Sequence, residues 1–108
     1  MHTSRIDLLQ QQIARDSGDI RARLLLGCAL MKSGRNMDAA TLFRRVTELE
    51  PDCIEAWRWL GAAYGQTRLF KEAGAAYRAA LYLAEKCGAA DTVVELRSAL
   101  NLLPDAHS

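Results

Sequence analysis

The chain has 108 residues, half of them hydrophobic and a quarter charged, which suits a folded protein and excludes an extensively disordered one. Basic and acidic residues nearly cancel to a formal charge of +1, with no clustered basic face to attract nucleic acid. No apolar run approaches the roughly 20 residues that span a bilayer, and MHTSRIDLLQQQ lacks a signal-peptide pattern, so the expected setting is cytoplasmic with no membrane contact.

Ser4 and Asp7 make an S-x-x-D box ahead of Ile6, Leu9 and Ile13, which predicts a leading helix within residues 4–16. Asp19 is the expected N-cap of a second helix, whose apolar residues recur through Leu26 and Leu30 until Gly34 stops it. Asn36 is placed to cap a third helix, running through Phe43 and Val46 until Pro51 prevents continuation. Asp52, with Glu55 completing a capping box, opens a fourth helix that fades near Gln66–Arg68. A fifth covers about Phe70–Lys86 and ends at Gly88. The last begins at Asp91 or Thr92, carries Val93, Leu96, Leu100 and Leu103 on one stripe, and is stopped by Pro104. Val94, Ala99 and Leu102 lie partly off that stripe, an apolar surplus that suits a slightly sticky cap or a contact with a second copy or a partner.

One pattern is written twice. Shifting the chain by 34 residues lays Ile20 on Ile54, Ala22 on Ala56, Leu26 on Leu60 and Gly27 on Gly61. Further along, Ala39 meets Ala73, Phe43 meets Tyr77 and Arg44 meets Arg78. A period of this size marks stacked supersecondary units, here paired helices at residues 20–50 and 53–87. Gly27 with Ala39, and Gly61 with Ala73, are small where paired helices cross; Leu26, Phe43, Leu60 and Tyr77 fill the space beside them.

These residues resemble the tetratricopeptide repeat, whose signature is W-x₂-L-G-x₂-Y, then A-x₃-F, then P. The second unit carries Trp57, Leu60, Gly61, Tyr64, Ala73 and Tyr77; the first carries Leu26, Gly27, Ala39, Phe43 and Pro51. Arg23 and Leu30 replace the first unit's aromatic positions, and Glu85 stands where the second unit's proline belongs, so the fifth helix is expected to run on. The expected fold is all-α: two tandem helix hairpins forming a short solenoid within one domain of residues 1–108. A leading helix (4–16) and a capping helix (91–103) flank the hairpins.

The two tryptophans divide by helical geometry. At about 100° per residue, Leu60, Gly61 and Tyr64 fall within about 60° of Trp57, which makes Trp57 a packing residue. Trp59 lies about 200° round, beside Glu55, Ala62 and Gln66. In tetratricopeptide stacks the first helix of each pair lines the concave surface, so the resemblance implies that Trp59 faces a groove. The same face of the first unit carries Arg21, Leu25, Cys28 and Lys32, while Leu24 and Arg58 flank the two faces. The groove would then have a floor of Leu25, Cys28, Trp59 and Ala62. Arg21, Lys32 and Arg58 would be basic edges, against the single acid Glu55. An indole beside arginine is the usual composition of a binding hot spot. The alternative is that a terminal helix folds over this surface and buries Trp59 as core.

Catalysis has little to work with. His2 and His107 sit at the two ends, and Ser–His–Asp sets, phosphate loops and HExxH are missing from the sequence. Cys28, Cys53 and Cys87 are widely spaced without nearby histidine, which argues against zinc or a disulfide framework. No cofactor or metal is expected. The expected function is therefore non-catalytic binding of a peptide or helix from a partner protein. The carboxylate-gripping mode of some tetratricopeptide modules fits poorly, because Leu24, Cys28 and Ala62 occupy positions that would need polar residues. Two alternatives stand beside the adaptor: a chaperone holding an apolar client segment, and self-assembly, for example as a homodimer, through the C-terminal helix. The chaperone is suggested by AAYRAALYLAEKCGAADTVVELRSALNLL, which resembles the last repeat and cap of small type III secretion chaperones.

Overall fold

A computed structural model of the protein describes residues 4–104, so His2 and His107 lie outside the described residues. Within that span the chain forms six helices: α1 (Arg5–Arg15), α2 (Ile20–Lys32), α3 (Asn36–Leu49), α4 (Ile54–Gln66), α5 (Phe70–Cys87) and α6 (Ala90–Leu102). Each packs on the next in chain order, and α2 also touches α4, giving an elongated stack of 47 × 28 × 21 Å. The hairpins are α2–α3 and α4–α5, with α1 and α6 at the two ends. At 18 residues α5 exceeds α3 by four (18 − 14), as the missing proline leads one to expect.

Side-chain caps start two of the helices. The Ser4 hydroxyl accepts from the Asp7 N–H at 3.1 Å, and Asp19 Oδ1 accepts from the Ala22 N–H at 2.9 Å. Asp19 Oδ2 also accepts from the Gln12 side chain at 3.1 Å, tying α1 to the start of α2. Two expected caps are corrected. Asn36 is already the first residue of α3, and Arg35 holds the cap position without a side-chain cap bond, using its guanidinium instead on Asp38 in the first turn at 3.0 Å. Asp52 lies in the turn with Pro51, one residue too early, so Cys53 takes the cap position of α4 and the Asp52–Glu55 box does not form. The last helix also starts sooner than expected, at Ala90, with only its cap residue Ala89 separating it from the αL residue Gly88 (φ 76°) that ends α5. Gly34 (φ 79°) closes α2 in the same way, and its counterpart 34 residues on is Arg68, with φ 64°.

The repeat signature corresponds to paired contacts. A Cβ on Gly27 would stand 2.5 Å from the Phe43 ring, and one on Gly61 would stand 2.8 Å from the Tyr77 ring. Each glycine therefore admits the aromatic of the opposite helix against its backbone. Ala39 and Ala73 are fully buried. The position where the first unit departs from the signature keeps its job. Trp57 Nε1 donates to the Pro51 carbonyl at 2.8 Å, and the Arg23 guanidinium, 34 residues earlier, donates to the Ser17 carbonyl. An indole and a guanidinium thus tie equivalent turns to equivalent helices.

The core has two parts. Leu26, Leu30, Ala39, Ala40, Phe43, Leu60, Ala63 and Ala76 form the larger, and Ala80, Ala84 and Leu96 the smaller. Trp57 packs against both. It is half-buried rather than enclosed, because its Nε1 must reach the turn at Pro51 on the surface.

Candidate functional site

The predicted groove residues come from α2 and α4, and most of them are spread over three separate cavities. The first, about 460 Å³, is lined by Leu25, Cys28, Ala29 and Lys32 of α2 together with Arg5 of α1. The second, about 290 Å³, lies between α4 and α6 and is lined by Arg58, Trp59, Ala62, Tyr77, Glu95, Leu96 and Ala99. Gln66 lines a third with Ala62, Phe70, Tyr77 and Leu102 farther along the same helices. Arg21 and Glu55 are exposed on their helices, whereas Leu24 packs half-buried against the core, as Cys28 and Trp59 also do.

Trp59 lines the second of these cavities. The ring is half-buried and stacks on Phe43 of α3, centroids 6.3 Å apart and planes 22° apart. The Arg58 guanidinium lies 5.9 Å from the Trp59 ring centroid, a cation–π arrangement. Trp59 therefore seals the Phe43 side and presents its remaining surface to the cavity beside α6. Neither terminal helix closes over it completely.

Electrostatics sharpen the picture. Arg58 is not a free basic edge, because its guanidinium meets Glu95 of α6 at 3.2 Å. Both side chains are well exposed, so this pair contributes little stability and chiefly sets where α6 sits at the cavity mouth. Tyr77 forms the floor, and burial pushes its phenol above the usual range while the Arg58 charge pulls the other way. On α2, burial raises the Cys28 thiol, while the Lys32 charge opposes that rise and the Glu55 charge adds to it. Cys28, Cys53 and Cys87 are all free thiols. No group of three or more His, Cys, Asp or Glu among the described residues is arranged to hold a metal ion.

Sequence reasoning missed the contribution of α6. Glu95, Leu96 and Ala99 complete the second cavity, and only Ala99 had been marked as lying off the packing stripe. A usable signal was present: Trp59 is the sixth residue of α4 and Glu95 the sixth of α6, each followed by a buried leucine, Leu60 and Leu96. The longer α5 shifts this correspondence to 36 residues, which a search at the 34-residue period passes over.

Comparison with known families agrees with this geometry. The family profile described as tetratricopeptide repeat matches residues 24–91, more than half of the chain. The protein belongs to the tetratricopeptide repeat family, whose members generally mediate protein–protein interaction on a fold that is not in itself catalytic. No curated protein matches the chain significantly. The profile match lends no support to the resemblance of the C-terminal stretch to secretion chaperones. No helix among the described residues is long and apolar enough to cross a membrane.

Proposed function

We propose that the protein is a non-catalytic interaction module that takes a peptide or helix of a partner protein across the face shared by α2, α4 and α6. The observation that carries this reading is the open cavity between α4 and α6, where a half-buried indole, an arginine and an apolar floor meet. Large aromatics and arginine at a partly desolvated centre, ringed by polar groups, are where binding energy concentrates. Leu25, Cys28 and Lys32 extend the same surface toward α1, giving the length an elongated ligand needs. The soluble interior of the cell is the setting this reading implies.

Affinity capture with wild type and Trp59→Ala tests it. A directly interacting protein, verified with purified components, should bind wild type and lose at least tenfold in affinity with the variant. A verified partner whose binding ignores Trp59→Ala overturns the groove reading. A second reading, pairing of two copies through α6, draws on Val94 and Leu102, which are 63% and 82% exposed. Sedimentation across a wide concentration range decides that one, since a persistent monomer excludes it.

A further inference from the structure

Successive helices of the face treat their floor aromatics differently. Phe43 lies beneath Gly27, is fully buried, and is covered by the Trp59 indole. Tyr77 lies beneath Gly61 in the same relation, yet it is only half-buried and opens into the 290 Å³ cavity. The reason is one residue. At the position of α6 that corresponds to Trp59, the chain has Glu95, which turns to Arg58 instead of covering the ring beneath. The protein therefore contains one aromatic lid and one vacant place for another.

Charge adds a direction. Arg5 and Lys32 line the cavity at the α1–α2 edge, and Arg21 stands exposed on α2. None of the ion pairs among the described residues uses any of the three. Glu95 at the opposite edge is already paired. The cavity lining at the α1–α2 edge thus holds two cations and no acid, with Asp19 offsetting Arg21 and Glu55 of α4 opposing Lys32 at Cys28, and the other end of the face is an apolar pit. Both lie along the α2–α4–α6 face, so one extended segment can engage them together.

Resting on the groove reading, we infer that the ligand is an acidic segment with an aromatic anchor. The anchor is a Phe, Tyr or Trp side chain that enters the pit over Tyr77 as Trp59 covers Phe43, with an acidic residue of the same segment between Arg5 and Lys32. Leu96 and Ala99 form the far wall, and the Arg58 guanidinium lies beside the pit.

The test is selection of a random dodecamer phage library on the purified protein, followed by titration of the enriched synthetic peptides. Glu95→Trp should occupy the pit from within, with Ala99→Leu as a second, smaller filler if the first perturbs folding by circular dichroism. Arg5→Glu with Lys32→Glu reverses the charge at the other end. Enriched peptides should carry an aromatic residue together with an Asp or Glu. They should lose at least tenfold in affinity with either filler and with the charge reversal. Trp59-dependent peptides that lack the aromatic or acidic residue, or that ignore the fillers or the reversal, overturn this inference and leave the groove reading standing. A selection that yields nothing dependent on Trp59 overturns both.

Discussion

Individual residues set how closely the helices approach, and the two signature glycines differ in what surrounds them. Phe43 has no freedom to retreat from a Cβ on Gly27, since it is fully buried and capped by Trp59. Tyr77 borders an open cavity and can give way before a Cβ on Gly61. Gly27→Ala is therefore expected to destabilise the protein by about 1–3 kcal/mol. Gly61→Ala should stay within about 1 kcal/mol of wild type, because alanine's better helix propensity offsets a milder clash. Urea unfolding of both variants decides this, and equal losses would contradict the account. Arg68 offers a second case: it holds a left-handed conformation that its counterpart Gly34 adopts freely, and its guanidinium lies 5.5 Å from the Phe70 ring centroid. Arg68→Gly should raise the unfolding free energy by about 1 kcal/mol or less, strain relief being partly offset by the lost cation–π contact. Such strain was not legible in the sequence, since Arg68 there reads only as the fading end of a helix.

At the scale of elements, caps and docking residues decide which helices hold. The carboxyl of Asp19 is held below its ordinary range, first by the Ala22 N–H and then by the Gln12 side chain. A carboxyl so depressed stabilises the fold fully above its unfolded pKa, near 3.8, and that contribution is lost as pH falls through the lower folded value. The stability gap between wild type and Asp19→Asn should thus be present near neutrality and shrink below about pH 4, which urea midpoints over that range would reveal. A gap that widens in acid would contradict this. At the other end, α6 is docked by a single fully buried residue, Leu96, assisted by the half-buried Val93 against α5. Leu96→Ala should cost about 2–5 kcal/mol and release α6 amides to exchange before those of α4. Of the expected caps, Ser4 and Asp19 formed because each sits three residues before an available N–H. Asn36 and Asp52 failed because the connecting turns displaced the helix starts by one residue, a tertiary adjustment that local spacing does not register.

Over the whole molecule, stability follows position along the stack. A solenoid is held by contacts between neighbours, so an element with one neighbour and little buried surface opens first. α1 has no fully buried residue and packs mainly on α2, held by Ile6, Leu9 and Ile13 as partial plugs and by the Gln12–Asp19 hydrogen bond. Its amides are expected to exchange fastest of the six helices, with α4 and α5 slowest, since those two share the most extensive packing. Hydrogen exchange read by mass spectrometry measures the order directly, and protection of α1 equal to that of α4 would refute it. Because Arg5 belongs to this loosely held helix, a partner bound at the α1–α2 edge should slow exchange there more than anywhere else.

The sequence by itself determined the class of fold and the repeat register. Small residues at crossings and large ones beside them are local requirements of helix pairing, and a 34-residue self-match repeats them in order. It also separated the two tryptophans, since 100° per residue is a property of any helix. Only the tertiary structure decided what each indole touches: Trp57 bridges two core clusters and reaches a surface carbonyl, while Trp59 lids Phe43 and borders a pit. Arg58 changed from a free cation to one engaged by Glu95, and the far wall of the candidate site came from α6. These are contacts between helices far apart in the chain, whose relative placement depends on the length of α5 and the packing of Leu96, quantities that no local pattern contains.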